Sequence, residues 1–293
     1  MDYWMAVLTF ALIFSSLSIS YNISVGYVGM LSIAHAAFFS IGAYAYGYLG
    51  TKFGGGELFL PSVALAVVIS LVIAVAVGTI ITLLPEEFVV MGTFALQVIF
   101  TTLLVNISAI TNGVQGLAGI PAPIIGPFEF VSRTETLILT AVLVFGSLLV
   151  AWLLLNSNIG LRARAVREEP AAALSMGVSV RLIQVSFFSI GAALASVAGS
   201  VYAGVIGFID PSSFTIHASI QLLAMVVVGG LGNPFGAMAG GFLISVLPAL
   251  LIEMNIGESA AAGIQQILFG AVMILVIMLR PSGMFPERTI ARK

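Results

Sequence analysis

Residues 60–84 read LPSVALAVVISLVIAVAVGTIITLL, a stretch that contains no charged side chain. A helix of about 20 apolar residues is long enough to cross the hydrocarbon core of a membrane. The rest of the 293-residue chain has the same character: 8% of its residues are charged, 60% are hydrophobic, and its mean hydropathy is +1.18. Globular proteins carry about 25% charged residues. Because the chain also lacks the alternating pattern of barrel strands, it is predicted to be an all-α, polytopic transmembrane helical bundle.

Apolar runs predict about 9–10 spans within a single transmembrane domain, residues 1–293. The nine runs that can be delimited cover residues 3–21, 26–50, 60–84, 88–110, 135–155, 182–206, 216–232, 235–252 and 263–280. Asp2 precedes the first run and no Lys or Arg does, which favours a retained helix over a cleaved signal peptide.

Two of these spans are predicted to be broken or partly re-entrant. Residues 26–50 contain five glycines and His35, and residues 216–232 end in VGGLGNP, which is typical of a helix stop followed by a new start. Irregular backbone at membrane depth is tolerated only where it is buried or lines a cavity. Because the interruptions fall in both halves of the chain, a pseudo-repeat of two halves is a further hypothesis.

The basic residues predict the orientation. Eight of the ten Lys and Arg residues fall in a central loop (residues 156–181) and at the C-terminus: Arg162, Arg164, Arg167, Arg181, Arg280, Arg288, Arg292 and Lys293. Cytoplasmic loops carry such an excess, so both regions are expected in the cytoplasm. The loops at 51–59, 111–134, 207–215 and 253–262 are then expected outside. The side of the N-terminus depends on the number of spans and stays open.

No reaction centre is evident. The chain has no cysteine, and neither His35 nor His217 belongs to a metal-binding motif, so each is interpreted as a satisfied buried or interfacial histidine. We therefore expect no catalytic residues and no metal site. No span carries an acidic or basic residue at its centre, whereas ion-coupled carriers usually do. A secondary carrier and a membrane enzyme are both disfavoured, and movement of a solute would need energy from elsewhere.

Uncharged polar residues in and beside the spans are candidates for a translocation path. They are Asn22, Ser32, His35, Gln97, Asn112, Gln115 and Gln221. The alternative for each is an ordinary interhelical tie, because such polar contacts are common in membrane bundles. A row of small residues from Gly191 to Gly207 at every fourth position predicts close helix packing, within one subunit in preference to a dimer face.

The central polar stretch GLRARAVREEPAAALSMG, residues 160–177, divides into two short helices. Pro170 suits the first turn of a helix but not its interior. The second helix is therefore predicted to begin at Pro170 and to stop at Gly177. Glu168 and Glu169 suit the positive N-terminal end of that helix. A short helix of small residues makes a poor core element and fits a groove on a soluble partner; the alternative is an ordinary basic loop.

PAAALSMG resembles the cytoplasmic "EAA" signature of ABC importer permeases, with Ala172, Ala173 and Gly177 at the signature positions and Ala171 in place of the glutamate. Longer stretches resemble the permeases of branched-chain amino-acid importers. They are GYVGMLSIAHAAFFSIGAY (26–44), TNGVQGLAGIP (111–121), RARAVREEPAAALSMGV (162–178), GFIDPSSFT (207–215), VVVGGLGNPFGAMAGG (226–241) and LRPSGMF (279–285). These motifs follow the family's order over nearly the full chain.

The resemblance implies a multi-pass permease subunit in the inner or plasma membrane of a prokaryote, and no enzyme. It implies four kinds of partner besides membrane lipid, and no nucleic acid: a second permease subunit, with a heterodimer expected, two cytoplasmic ATPases, and a periplasmic or extracellular solute-binding protein. ATP would be bound by the ATPases, because this chain has no GxxxxGK[ST] motif. The chain would need no cofactor of its own.

In this family the central stretch couples the permease to the ATPases. The residues assigned to ATPase coupling are Arg162, Arg164, Arg167, Glu168, Glu169, Pro170, Ala171, Ala172, Ala173 and Gly177. The solute would be a branched-chain or related amino acid. Urea, an amide or a sugar-like solute carried by the same permease group is the alternative, and an ion-coupled carrier a more distant one.

Overall fold

The computed structural model describes residues 2–253, 270–271, 278 and 283–285. The helices are α1 (Asp2–Val25), α2 (His35–Phe53), α3 (Phe59–Ile81), α4 (Glu86–Asn106), α5 (Ser108–Thr111), α6 (Arg133–Leu155), α7 (Asn158–Glu168), α8 (Pro170–Ser175), α9 (Val180–Ile206), α10 (Ile216–Gly229) and α11 (Pro234–Glu253). The strands are two residues each: β1 (Leu117–Ala118), β2 (Ile124–Ile125), β3 (Phe128–Glu129) and β4 (Phe208–Ile209).

The predicted all-α membrane bundle is confirmed. Five helices, α1, α3, α4, α6 and α9, are long and apolar enough to cross a membrane, and α10 and α11 are shorter apolar helices. The first eight predicted spans each correspond to a helix. The ninth, residues 263–280, falls almost entirely outside the described residues, as do the predicted loop 253–262, of which only Glu253 is described at the end of α11, and the basic C-terminus.

Helix α1 lies at the centre of the bundle, where it packs against α6, α9, α10 and α11. Helix α2 packs against α3 and α9. The small-residue row on α9 provides the close approach: a Cβ added at Gly199 would lie 2.0 Å from the Phe39 carbonyl oxygen, and one at Gly42 would lie 1.7 Å from that of Ser196. The predicted role of the row in packing within one subunit is therefore confirmed.

One end of the bundle, the loop end, gathers three of the loops that were predicted to lie together. Strand β1 pairs antiparallel with β4, which joins residues 111–121 to residues 207–215. Strands β2 and β3 form a hairpin, and Gly56 packs against the Ala122 carbonyl. Helix α1 begins at this end too, since Ala6 and Thr9 share a cavity with Val131. Helices α7 and α8 lie at the opposite end, the basic end.

Candidate functional site

The central polar stretch, residues 160–177, forms the two short helices that its sequence predicts. Glu169 is extended (φ −152°), and Pro170 opens α8. Gly177 has φ +79°, which favours glycine. Its N–H donates to the Leu174 carbonyl (3.0 Å), and the N–H of Val178 donates to the Ala173 carbonyl (3.1 Å). This paired pattern is the Schellman stop of a helix, so Pro170 and Gly177 set the two limits of α8.

The stretch has a buried face and an exposed tip. Ala163, Val166 and Ala173 are buried in one cluster with Tyr27 and Val28. At the tip, Leu174 is 64% exposed and Met176 is 69% exposed. The other residues assigned to coupling differ in solvent exposure. Those that are exposed are Arg162, Glu168, Glu169, Ala171, Ala172 and Gly177, and those that are half-buried are Arg164, Arg167 and Pro170. A short helix thus presents apolar side chains beside charged ones.

Arg167 joins this stretch to the end of α1. Its Nη1 donates a hydrogen bond to the carbonyl of Gly26. A Cβ added at Gly29 would lie 3.4 Å from Cγ of Arg167, so the arginine stem packs on the same turn. The last carbonyls of a helix lack partners within the helix and carry partial negative charge, which a guanidinium satisfies.

The predicted interruption near Gly26 is present as an irregular segment, the first break (residues 26–34), between α1 and α2. The first amides of α2 need acceptors because they lie inside the bundle. Side chains of two other helices supply them. The Ala36 amide donates to Oγ of Ser219 (3.0 Å) and the Ala37 amide donates to Oε1 of Gln97 (3.0 Å). The Ile33 amide donates to Oγ1 of Thr93 (3.1 Å).

Gln97 uses both ends of its side-chain amide in this arrangement. Its Oε1 accepts from Ala37 and, at 3.3 Å, from the Ser219 hydroxyl. Its Nε2 donates to the Phe214 carbonyl (2.8 Å) and to Thr101 (3.3 Å). The side chain is fully buried. Gln97, on α4, therefore links α2 to the segment that precedes α10.

Three further predicted path residues lie near the first break, and all are buried. Nε2 of His35 lies 2.8 Å from Oγ of Ser20, so this histidine is satisfied as predicted. Oγ of Ser32 accepts from the Ala34 amide (3.3 Å). Oδ1 of Asn22 accepts from the Gly232 amide (3.0 Å) at the turn between α10 and α11.

The remaining predicted path residues lie elsewhere. Asn112 and Gln115 are exposed at the loop end, where Asn112 adopts φ +59° and its Nδ2 donates to the Gly116 carbonyl (3.0 Å). Gln221 is half-buried on α10. The structure does not bring the seven residues into one site, and their place on a path stays a prediction.

Residues 207–215, the second break, do more than the predicted outer loop. Strand β4 lies at the loop end, but Pro211–Phe214 forms a 3-10 turn whose last residue reaches Gln97. Gln97 lies near the midpoint of α4, which spans Glu86–Asn106. The chain therefore descends to about the middle of the bundle before α10 starts, and the prediction of a purely external loop is wrong in its second half. Helix α10 is correspondingly short, 14 residues.

Asp210 lies between β4 and the 3-10 turn, where the chain begins to enter the bundle. Hydroxyls of Ser212 and Ser213 donate to its carboxylate. Partial burial raises the pKa of Asp210, but these hydrogen bonds outweigh it and the net shift is downward, so the group is ionised at neutral pH. Below it, the Phe214 ring lies 5.8 Å from that of Tyr44 and 6.1 Å from that of Tyr202.

His217 differs from the sequence-based interpretation. It is exposed, and among the described residues it has no hydrogen-bond partner; the same holds for half-buried Gln221, one turn further along α10. The prediction of a satisfied histidine is therefore wrong at this position. A weak signal was available, because His217 and Gln221 are four residues apart and so share one helix face. Within the described part of the chain, no three His, Asp or Glu side chains are grouped as a metal site.

The fold and these interrupted helices define a multi-pass membrane protein. The sequence profile of the family described as "Branched-chain amino acid transport system / permease component" matches residues 3–277. The chain belongs to this family. It is thus a permease component of a prokaryotic cell membrane, a transport subunit and not an enzyme.

Curated relatives agree with this family. The chain is 29% identical to the high-affinity branched-chain amino acid transport system permease protein LivM of Escherichia coli K12, over 96% of this chain and 69% of the relative. It is 26% identical to the corresponding LivH protein of Salmonella typhimurium, over 94% and 90%. It is also 29% identical to the nucleoside ABC transporter permease protein NupC of Lactococcus lactis, over 70% and 63%. No solved structure matches the chain.

Proposed function

We propose that this chain is one of two permease subunits in an ATP-driven importer and forms part of the path for branched-chain or related amino acids. Two partner ATPases would bind and hydrolyse the ATP, and an external solute-binding protein would deliver the solute. Membership of the permease family supports the transport role. The observation that carries the coupling role is the tip of α8, where Leu174 and Met176 are exposed beyond a buried base.

The tip suits a groove on a soluble protein. Apolar side chains on a short helix that enter a hydrophobic groove are a recurring mode of recognition. The base of the tip is fixed, because Ala173 is buried and α8 is delimited by Pro170 and Gly177. A movement of α8 would therefore be transmitted to the bundle through the hydrogen bond between Arg167 and Gly26, with no flexible loop between them. We assign residues 160–177, the coupling segment, to the ATPase contact, and the basic end to the cytoplasm.

The loop end is the proposed surface for the solute-binding protein. Large apolar side chains are exposed there: Val114 is 77% exposed, Phe128 is 69% exposed and Phe208 is 44% exposed. Pairing of β1 with β4 joins the loops 111–131 and 207–215 in one surface, and we expect these two outer loops to meet the binding protein. Exposed apolar patches on polar loops are typical of interaction sites.

Charge placed on the exposed tip tests the coupling role. Ala172→Arg, alone and with Gly177→Arg, should lower both co-purification of the ATPases and ATP-driven leucine uptake in vesicles by more than about tenfold. Glu57→Arg, which also adds an arginine at an exposed site but at the loop end, is the matched control and should leave co-purification of the ATPases unchanged. Normal ATPase association and uptake in the Ala172→Arg variant would overturn the coupling role.

A further inference from the structure

The second break places polar groups where a lipid-facing surface would be apolar. Phe214 is held at the midpoint of α4 by its bond to Gln97, so residues that follow it lie near the middle of the membrane. Non-helical backbone at this depth is found only where protein buries it or where it lines a water-filled cavity. Pro211 and Phe214 are buried, whereas Asp210 and His217 are not buried within this subunit, so this side of the segment is open to water or to a partner subunit.

Four polar side chains of the second break and of the start of α10 are not buried: Asp210, Ser212, His217 and Gln221, the polar strip. His217 and Gln221 have no hydrogen-bond partner among the described residues. Polar side chains without partners are costly in hydrocarbon, and in membrane proteins they face the bundle interior or water. The contrast with α3 is clear, because its exposed face consists of residues such as Leu65, Val68 and Val72.

The upper part of the strip has the chemistry to hold a primary ammonium group. The hydroxyls of Ser212 and Ser213 donate to the Asp210 carboxylate, and the backbone amides of Asp210 and Ser213 also lower its pKa. It therefore stays an anion, whose charge attracts a cation. Aromatic faces add attraction for a cation, and Tyr44 lies close enough to Asp210 for an electrostatic interaction. The Tyr44 hydroxyl is buried and has no hydrogen-bond partner, on a side chain that is only 5% exposed.

The lower part suits an anionic group. Helix α10 starts inside the bundle, and no side chain caps its first amides. Uncapped amides at a helix N-terminus attract anions such as carboxylates, and interrupted helices present such ends to solutes in other transporters. An α-amino acid carries both groups. The order along the strip, acidic above and helix N-terminus below, therefore matches a zwitterion with an apolar side chain.

We propose that the polar strip forms one wall of the solute path, and that Asp210 receives the ammonium group of a passing amino acid. This inference rests on the proposed import function and adds to it the residues and the recognition chemistry. The second permease would supply the opposite wall.

Because the chain contains no cysteine, single thiols can test whether the strip meets water. In the assembled importer, His217→Cys and Gln221→Cys should react with a charged, membrane-impermeant thiol reagent. Val72→Cys is the matched control, since Val72 is 64% exposed on α3 and is expected in lipid; it should react at least about tenfold more slowly. Leucine-loaded binding protein with ATP should protect the thiol at position 217. A thiol there that is as inert as the one at position 72 would overturn the proposal.

Asp210→Asn tests the ammonium contact. Uptake of leucine at saturating binding protein should fall roughly tenfold, the effect of losing one charge-assisted hydrogen bond. Protection of the thiol at position 217 by leucine should be lost as well, which a purely structural role would not cause while the ATPases remain bound. Asp210→Glu should keep most of the uptake, and Glu87→Gln, at an exposed site in the first turn of α4, should keep all of it. Equal uptake by Asp210→Asn and Glu87→Gln would overturn the contact.

The thiol and uptake measurements distinguish an error in the proposed path from an error in the proposed import function. If the importer takes up leucine and position 217 is inert, the path assignment is wrong and the import function stands. If position 217 is reactive and leucine is not transported, the path stands and the solute proposed above is wrong. The thiol measurement needs neither Asp210 variant, so poor assembly of Asp210→Asn leaves it decisive.

Discussion

The two breaks lie side by side in the bundle and differ in how their polar groups are satisfied. In the first, the amides of Ala36 and Ala37 are bound by side chains of α10 and α4. In the second, the first amides of α10 have no side-chain cap, and His217 has no partner in the described chain. Gln97 touches both, accepting from Ala37 and donating to Phe214.

The difference separates two reasons for interrupting a membrane helix. Where side chains of other helices accept from the first amides of a helix, as at Ala36 and Ala37, the break costs less in hydrocarbon and the position of that helix is fixed. A break with open donors is costly unless water or a solute meets it. The first break is therefore a structural joint, and the second has the properties of a solute-facing surface, as the inference above requires.

The largest effect is expected where α2 crosses α9. Gly42→Val should abolish accumulation of the folded protein, because even a Cβ at this position would lie 1.7 Å from the Ser196 carbonyl oxygen. Overpacking of this kind costs about 3 kcal/mol or more. Expression level and thermal unfolding in detergent are the measurements. Gly146→Val on α6, where an added Cβ meets nothing within 4 Å, should accumulate normally. Equal loss of both variants would show that steric overlap where α2 crosses α9 is not the cause.

A smaller effect is expected at Gln97, which is hydrogen-bonded to both breaks. Gln97→Leu keeps the volume but removes one acceptor of the Ala37 amide and the shorter bond to the Phe214 carbonyl, which keep only the Ala34 carbonyl (3.1 Å) and the Thr101 hydroxyl (3.5 Å) as partners. This should lower the free energy of unfolding by about 2 kcal/mol. Gln221→Leu is the matched control. It has no bond to lose among the described residues, so its stability should change by less than about 0.5 kcal/mol while leucine uptake falls. Equal destabilisation by the two variants would remove the distinction between a closed and an open break.

The smallest effect is expected at the entry to the first break. Arg167→Gln removes the cation from the C-terminal carbonyls of α1, an interaction worth about 1 kcal/mol. Thermal unfolding of the purified subunit measures this change. ATP-driven uptake shows whether a movement of the coupling segment is still transmitted to the first break. Arg181→Gln, at an exposed residue of α9, should change stability by less than about 0.5 kcal/mol. A loss as large in Arg181→Gln would assign the effect to net charge.

Local signals in the sequence predicted what depends on neighbours along the chain. The eight described spans follow from apolar length, and the limits of α8 follow from Pro170 and Gly177, whose backbone preferences act within one turn. Even so, the predicted second span began too early, since α2 starts only at His35. Glycines in that stretch showed that a break exists and not where the helix resumes.

The site depended on contacts that no local pattern encodes. Gln97 binds residues 60 and 117 positions away, so the sequence could not show whether this glutamine faces a path or caps a helix. His217 was misinterpreted for a related reason. Helix α10 is apolar on most sides and buried on most of them, and the direction of its exposed face follows from the descent of residues 211–214 into the bundle.

Helix α1 carries six small polar side chains in its second half, Ser15, Ser16, Ser18, Ser20, Asn22 and Ser24, and all are buried. Their neighbours come from helices made much later: Ser16 meets Ser147 at 2.7 Å, and Asn22 meets Gly232. Helix α1 is apolar enough to cross the membrane by itself, but it is synthesised before the surfaces that bond its polar side chains. The hydrogen bonds of Ser16 and Asn22 therefore form only when α6 and the turn before α11 pack against it.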